Sequence, residues 1–143
     1  MHYVSMPLSI RFDAAVLQRL RRRAATATGG NTSALAQRLV DEGLRMADHP
    51  GVIFKEGPSG RRAALAFGPD VWEIVKFLRE VDERGTAALE AAADVFALDV
   101  NRIKTALSYY GDYREEIDAE IDAADEASIR AERAWRVQQQ LIA

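Results

Sequence analysis

The stretch Met6-Pro7-Leu8-Ser9-Ile10-Arg11-Phe12 alternates apolar and polar residues and is followed directly by two helical patterns. Because side chains alternate between the two faces of a strand, Leu8, Ile10 and Phe12 share one face and the polar residues between them occupy the other. A strand needs a partner, and the two helical patterns that follow contain none. The sequence therefore predicts that this strand pairs with the same strand of a second chain in a homodimer.

The two helical patterns complete the first 47 residues. Asp13 is placed to cap a helix that runs to about Thr26, and Asn31 is placed to cap a second helix that runs to about Ala47. Thr28-Gly29-Gly30 separates them. The apolar stripes of the two helices comprise Val16, Leu17, Leu20 and Ala24, then Leu35, Leu39, Val40 and Leu44. Such a short segment cannot build an adequate core alone, so we expect two copies to intertwine and share one.

The charge of the chain is unevenly distributed. Residues 1–47 carry seven arginines against three acidic residues, whereas the remainder carries twelve basic and nineteen acidic residues. The net charge of the whole chain is −3. A basic segment suits phosphate, and an acidic one suits a basic protein or water. The sequence therefore predicts different partners for the two ends of the chain.

The composition argues against several classes of protein. There is no cysteine, and His2 and His49 are the only histidines, so we expect no disulfide, thiol chemistry or zinc site. No Ser-His-Asp, Cys-His, phosphate-loop or metal-ligand spacing stands out, so we expect no enzyme, no catalytic residue, no metal and no cofactor. Without a run of 18 apolar residues or a signal-peptide pattern, we expect a cytoplasmic protein with no membrane partner.

A second region, residues 48–111, begins where Asp48-His49-Pro50-Gly51 interrupts the helical pattern. Val52-Ile53-Phe54 and Ala63–Phe67 flank the turn-prone Gly57-Pro58-Ser59-Gly60 stretch and predict a β-hairpin. The next helix is expected to hold Pro69 in its first turn and to run to about Asp82.

Gly85 ends that helix, and Thr86 is placed to cap the next. Residues 86–95 and 99–110 form two short helical patterns around Phe96-Ala97-Leu98, with Asp99 placed to cap the second. This order is compatible with a helix-turn-helix, but it is also common in other helical domains. We expect Trp72 and the tyrosines Tyr109, Tyr110 and Tyr113 to pack in the core.

The third region, residues 112–143, holds nine acidic residues and four arginines and predicts one long helix or an acidic tail. Its later part carries apolar residues that a small domain would have difficulty burying: Ile129, Trp135, Val137, Leu141 and Ile142. They are candidates for binding a partner. Alternatively, the helix completes the core of the dimer itself.

Two strands laid antiparallel, one from each subunit, form a ribbon that fits the major groove of DNA. Arg11 can bond a guanine through two donors, and Ser9 can contact several bases. Pro7 lies on the same face but has no donor, so it contributes shape only. The start of the second helix, at Asn31, Thr32 and Ser33, offers backbone N–H groups and hydroxyls suited to a DNA phosphate.

The segments Leu8–Phe12, Gly30–Ala36 and Leu39–Leu44 together resemble the ribbon-helix-helix DNA-binding domain of the Arc, MetJ and CopG-like family. The resemblance covers about a third of the chain. It implies that Ser9, Arg11 and Pro7 occupy the base-reading positions and that residues 31–33 hold phosphate. Pro7 departs from the polar residue usual at its position, which puts base reading there in doubt.

The second half resembles a small helical, helix-turn-helix-like domain found in bacterial antitoxins of the VapB type. The resemblance rests on His49-Pro50-Gly51, on residues 57–62 and 71–75, and on residues 106–110 followed by 114–118. It implies a toxin as partner, bound by the acidic C-terminal part. A second DNA contact is also conceivable through Arg61, Arg62, Asn101, Arg102 and Lys104, although such residues are equally common as solvated surface.

The expected fold is mainly α: a ribbon-helix-helix, then a hairpin and a helix-turn-helix-like domain with a long C-terminal helix. The expected function is that of a dimeric autorepressor and antitoxin, binding double-stranded operator DNA through the ribbon and a toxin through the C-terminal part. The dimer could further associate into a dimer of dimers. The alternatives are a transcription regulator without a toxin, whose second domain binds a ligand or drives oligomerisation, and a helical adaptor that binds no DNA.

Overall fold

The computed structural model describes residues 6–57 and 60–143 of the chain. In order, its elements are α1 (Ala14–Ala27), α2 (Thr32–Asp48), β1 (Val52–Gly57), β2 (Gly60–Leu65), α3 (Val71–Glu80), α4 (Thr86–Phe96), α5 (Val100–Asp112) and α6 (Arg114–Ile142). The chain forms two compact units, unit 1 (Met1–Leu44) and unit 2 (Arg45–Ala143). The predicted mainly helical fold with one hairpin and a long C-terminal helix is confirmed.

The two helices of unit 1 begin and end close to the predicted residues. Asn31 caps α2, because its Oδ1 accepts a hydrogen bond from the Ala34 N–H at 2.9 Å. Asp13 is the N-cap residue of α1, but its side chain makes no capping hydrogen bond. Gly29 and Gly30 adopt φ values of 61° and 92°, a region that glycine enters without strain, and this turns the chain between the helices.

Residues 6–12 have no regular secondary structure in the single chain. The strand predicted there is therefore absent from the isolated subunit. The physical reason is that a strand takes its hydrogen bonds from a neighbouring strand, and the described residues of unit 1 provide none. Unit 1 also buries little: among its described apolar residues only Ala24 and Leu35 are buried.

The hairpin of unit 2 lies where it was predicted. Its antiparallel register runs from the pair Val52 and Leu65 to the pair Gly57 and Gly60. The start of the next helix differs from expectation: Asp70 is the N-cap residue of α3, and Pro69 precedes the helix. Pro69 is held outside because its carbonyl accepts a hydrogen bond from the Leu65 N–H at 3.0 Å, at the end of β2.

Helices α4 and α5 are joined by three residues, as the helix-turn-helix pattern predicted. Ala97 ends α4 in the left-handed region, with a φ of 55°. The carboxylate of Asp99 caps α5 by accepting from the Arg102 N–H at 2.9 Å, which confirms its predicted role. The start of α4 differs by one residue, because Gly85 and not Thr86 occupies the N-cap position.

Helix α5 lies at the centre of unit 2 and contacts the hairpin and helices α3, α4 and α6. Its Ile103, Ala106 and Tyr109 are fully buried. Trp72 is half-buried and packs at the edge of this core, as do Tyr110 and Tyr113. The remaining core residues are Val52, Ala63, Leu65, Val71, Ile74, Val75, Ala92, Ile117 and Ile121.

Helix α6 belongs to unit 2 and packs against the rest of that unit through its N-terminal part. Ile117 and Ile121 are buried, and Asp125 of the same helix pairs with Lys76 of α3 at 2.7 Å. Asp118 pairs with Arg79 of α3. From Glu126 to Ala143 every residue is exposed.

Among the described residues, none of the helices combines the length and apolar character needed to cross a membrane.

Candidate nucleic-acid interface

The predicted base-reading residues lie in the N-terminal segment of unit 1. Pro7, Ser9 and Arg11 are all exposed. Arg11 makes no ion pair with a carboxylate in the part of the chain that the structure describes, so its guanidinium is available to an external acceptor. The structure thus leaves these three side chains accessible.

The start of α2 offers donors to an anion. The Asn31 side-chain oxygen is used by the Ala34 N–H, and the Asn31 N–H donates to the Thr28 carbonyl at 3.2 Å. The N–H groups of Thr32 and Ser33 have no acceptor within the helix, because the first turn of any helix leaves its donors unpaired. Ser33 is exposed and Thr32 is half-buried. These two N–H groups and the Ser33 hydroxyl can hold a phosphate oxygen.

Helix α1 adds positive charge to the same unit. Arg19, Arg21, Arg22 and Arg23 are exposed, and none pairs with a carboxylate among the described residues. Free guanidinium groups attract a polyanion over the range of the Debye length. Unit 1 therefore combines accessible polar residues, unpaired helix donors and unpaired cations.

Three of the five residues suggested for a second DNA contact bond to other groups of unit 2, and the other two are exposed on α5. Arg62 pairs with Asp70, and Arg102 donates to the Ala66 carbonyl. Arg61 pairs with Glu56 on the neighbouring strand at 3.3 Å. Asn101 and Lys104 are exposed on α5, where Lys104 is the only cation along the helix's exposed stripe. The three arginines therefore have partners within unit 2, and the second DNA contact stays a prediction.

Sequence reasoning missed the ionic cluster around Asp70. This carboxylate is buried, and it receives Arg62, the Lys55 ammonium at 2.9 Å and the Trp72 indole N–H at 3.1 Å. Glu73 accepts from the Asp70 N–H at 2.8 Å. The Asp-x-x-Glu spacing was a visible signal for a helix start. The pairing with Lys55 and Arg62 follows from the hairpin register, in which these two residues are opposite each other.

Arg45 is the centre of a second cluster that the sequence did not reveal. Its guanidinium donates to the Glu116 carboxylate at 2.7 and 3.0 Å and to the Tyr109 hydroxyl at 2.9 Å, and it lies over the Tyr113 ring at 4.0 Å. The hydrogen bonds to Glu116 hold the pKa of Arg45 above its usual range. Burial raises the pKa of Tyr109 to about 12, against the opposing hydrogen bond from Arg45. The cluster ties the last turn of α2 to α5 and α6.

His49 lies beside this cluster and contacts a serine and an aspartate. Its Nε2 lies 2.8 Å from the Asp112 carboxylate, and its Nδ1 lies 3.4 Å from the Ser108 hydroxyl. Ser108 is inside α5, where backbone N–H groups bond within the helix and offer no oxyanion site. The buried His49 ring also packs edge-on against Tyr109 and Tyr113. The arrangement fastens His49, the residue after α2, to α5.

The cap of α2 gives a direct test of this part of unit 1. Replacing Asn31 with Ala removes the acceptor of the Ala34 N–H and is expected to lower the free energy of unfolding by about 1 kcal/mol. Asn31→Asp keeps an acceptor and is expected to retain most of the stability. Ser33→Ala is the matched control, with a change within about 0.5 kcal/mol. Urea unfolding at equal protein concentration measures all three, and equal stability of the Asn31→Ala variant would contradict the capping role.

Comparison of the chain with protein-family models, curated proteins and solved structures finds no match. The resemblance to ribbon-helix-helix and antitoxin domains therefore stays a prediction from the quoted residues. The functional roles considered next rest on that resemblance and on the geometry described above.

Proposed function

We propose that the chain is a homodimeric DNA-binding autorepressor that also acts as an antitoxin. Unit 1 binds the operator as a ribbon-helix-helix formed by two subunits. The exposed part of α6 binds the toxin. One observation carries the proposal: unit 1 exposes the apolar side chains that a shared dimer core would bury.

The exposed apolar residues of unit 1 follow the predicted pattern. Leu8, Ile10 and Phe12 are 81%, 55% and 41% exposed in the single chain. The helices add Val16, Leu39, Val40 and Leu44. Burying apolar surface is the main favourable contribution to folding and association, so this set favours a second subunit. Pairing of residues 6–12 across the dimer would cover the apolar face of each strand and supply its missing hydrogen bonds.

The polar residues of the same unit suit DNA once the dimer forms. In a paired ribbon Ser9 and Arg11 would lie opposite the apolar face and meet base edges in the major groove. The free N–H groups at Thr32 and Ser33 would hold phosphate and orient the ribbon. The unpaired arginines of α1 would strengthen attraction to the DNA without regard to sequence.

The exposed part of α6 supports the second half of the proposal. Trp135 and Ile142 follow Ile121 at multiples of seven residues, so they continue the face by which α6 packs on unit 2. Both are exposed, as are Ile129, Val137 and Leu141. An apolar helix face that leaves its own domain suits a groove on a partner protein. Some acidic residues of α6, including Glu116, Asp118 and Asp125, are already paired within unit 2, so this part of the proposal depends more on the apolar residues than on charge.

The DNA-binding half is tested by fluorescence anisotropy with the promoter upstream of the protein's own gene. Arg11→Ala is expected to cost about 1–3 kcal/mol of binding free energy and to relax the preference at one base position of each half-site. Binding of the unchanged protein is expected to weaken steeply with salt, because phosphate contacts release counterions. Arg133→Ala, which removes an exposed arginine of α6, is the matched control and is expected to bind as the unchanged protein does. Promoter binding that survives Arg11→Ala undiminished would contradict the proposed base reader.

The antitoxin half is tested with the product of the neighbouring reading frame. That product, expressed alone, is expected to arrest growth, and co-expression of the chain is expected to restore it. The double variant Trp135→Ser and Leu141→Ser is expected to lose this rescue while still binding the promoter, whereas Gln140→Ser retains both. A neighbouring product without toxicity, or rescue by the double variant, would contradict the antitoxin role and favour the regulator without a toxin.

A further inference from the structure

Unit 2 contains a cleft of about 560 Å³ that the proposed function does not use. One wall comes from the hairpin and the start of α3, with Lys55, Arg62, Asp70 and Trp72. The other wall comes from the middle of α6 and begins at Glu120. All of these residues belong to unit 2, so the cleft does not depend on the dimer or on DNA.

The two cations of the hairpin wall are already committed. Lys55 and Arg62 both pair with the buried carboxylate of Asp70, which also accepts from Trp72. Removing either cation would leave a buried charge without full compensation, so neither is free to move to another partner. Glu73, which also lines the cleft, is held by the Asp70 N–H. The cations and carboxylates of this wall thus lie close to one another, while Oδ1 of Asp70, 2.9 Å from the Lys55 ammonium, accepts no hydrogen bond among the described residues.

Glu120 on the opposite wall is not compensated. Its side chain is half-buried, and it makes no hydrogen bond or ion pair with any residue that the structure describes. Burial raises the pKa of Glu120 to about 7, with further raising contributions from Glu116 and Asp70 and an opposing one from Arg62. A half-buried carboxylate of this kind is stabilised by a positive group that enters the cleft.

The α6 wall next to Glu120 carries small apolar side chains. Ala123, Ala124 and Ala127 present only methyl groups along α6, which leaves room between the walls. The Trp72 ring faces the cleft from α3, and its orientation is set by the hydrogen bond from its N–H to Asp70. An indole ring packs well on an apolar stem and attracts a cation over its face. The cleft thus places Glu120, which has no partner among the described residues, beside alanine methyl groups and an indole ring, and its other lining residues are charged: Lys55, Arg62, Asp70, Glu73 and Arg130.

We propose that this cleft binds a small organic monocation, a primary ammonium group carried on a short apolar stem. The ammonium group pairs with the Glu120 carboxylate, and the stem packs between Trp72 and the alanines of α6. Arg130, which also lines the cleft and is exposed, disfavours a second positive charge on the ligand. The remaining charged groups that face the cleft are Lys55 and Arg62, which pair with Asp70, and Glu73, which accepts from the Asp70 N–H.

The probe for the test is 2-phenylethylammonium, and 2-phenylethanol is its uncharged counterpart of similar shape. Binding is followed on the full chain by NMR through the two indole N–H signals, assigned with Trp135→Phe. Trp72 lies in the cleft, whereas Trp135 lies on the exposed part of α6 and serves as an internal control. We expect the ammonium compound to shift the Trp72 signal with saturation and to leave the Trp135 signal unchanged.

Glu120→Gln is expected to weaken binding of the ammonium compound about tenfold or more, because a charged hydrogen bond is lost. Glu126→Gln makes the same chemical change on an exposed part of α6 outside the cleft, and it is expected to bind as the unchanged chain does. Binding is also expected to strengthen from pH 6 to pH 8, because Glu120 loses its proton over this range while the amine stays protonated.

Three outcomes would overturn the proposal. The Trp72 signal could stay unchanged at millimolar ammonium compound, the alcohol could bind as tightly as the ammonium compound, or Glu120→Gln could bind as tightly as Glu126→Gln. Unaltered unfolding of Glu120→Gln in urea shows that a lost response reflects the cleft and not the fold.

Discussion

The apolar surface that unit 1 cannot cover by itself is the constraint on which its structure and proposed function depend. Two helices of ordinary length bury only Ala24 and Leu35 among the described apolar residues of the unit. The segment before them places Leu8, Ile10 and Phe12 in solvent. An arrangement of this kind is costly for a lone chain and favourable for two chains that share one core. In the function that we propose, dimerisation completes the fold and creates the DNA-reading surface in the same step.

Unit 2 is held together by a core around α5 and by ion pairs between its elements. Its charged side chains pair across different elements: the buried Asp70 with Lys55 and Arg62, and the exposed Glu116 with Arg45. Each pair fixes the position of one element against another, and α5 fills the space between them with Ile103, Ala106 and Tyr109. Ion pairs of this kind are weak evidence of added stability, because the cost of desolvating the charges opposes their attraction. Glu120, which lacks a partner of this kind, is notable for that reason.

Local chemistry made much of the fold predictable. The break between α1 and α2 at Gly29 and Gly30, the cap at Asn31 and the cap at Asp99 are decided by a few neighbouring residues, and each was predicted from them. The hairpin followed from the turn-prone residues between its two apolar runs. Pro69 was misplaced because its position depends on a hydrogen bond from Leu65, which belongs to the preceding strand.

The candidate sites were harder to predict, since they depend on contacts between distant residues. Arg62 and Arg102 look like free surface cations in the sequence, but one meets Asp70 and the other the Ala66 carbonyl. The Arg45 cluster and the cleft at Glu120 join residues from three or more elements, and no local sequence pattern predicts either of them. The strand predicted at residues 6–12 is the opposite case, because its pattern is local while the partner that we propose for it is a second chain.

Sedimentation of the full chain over a range of concentrations tests the central claim most directly. The account predicts a particle of twice the chain mass, and it predicts that Ile10→Asp shifts the chain toward monomer, since the charge would enter the shared core. Ser9→Asp places the same charge on the opposite face of the ribbon and is expected to leave the dimer in place. A folded monomer at all concentrations, or a dimer unaffected by Ile10→Asp, would contradict it.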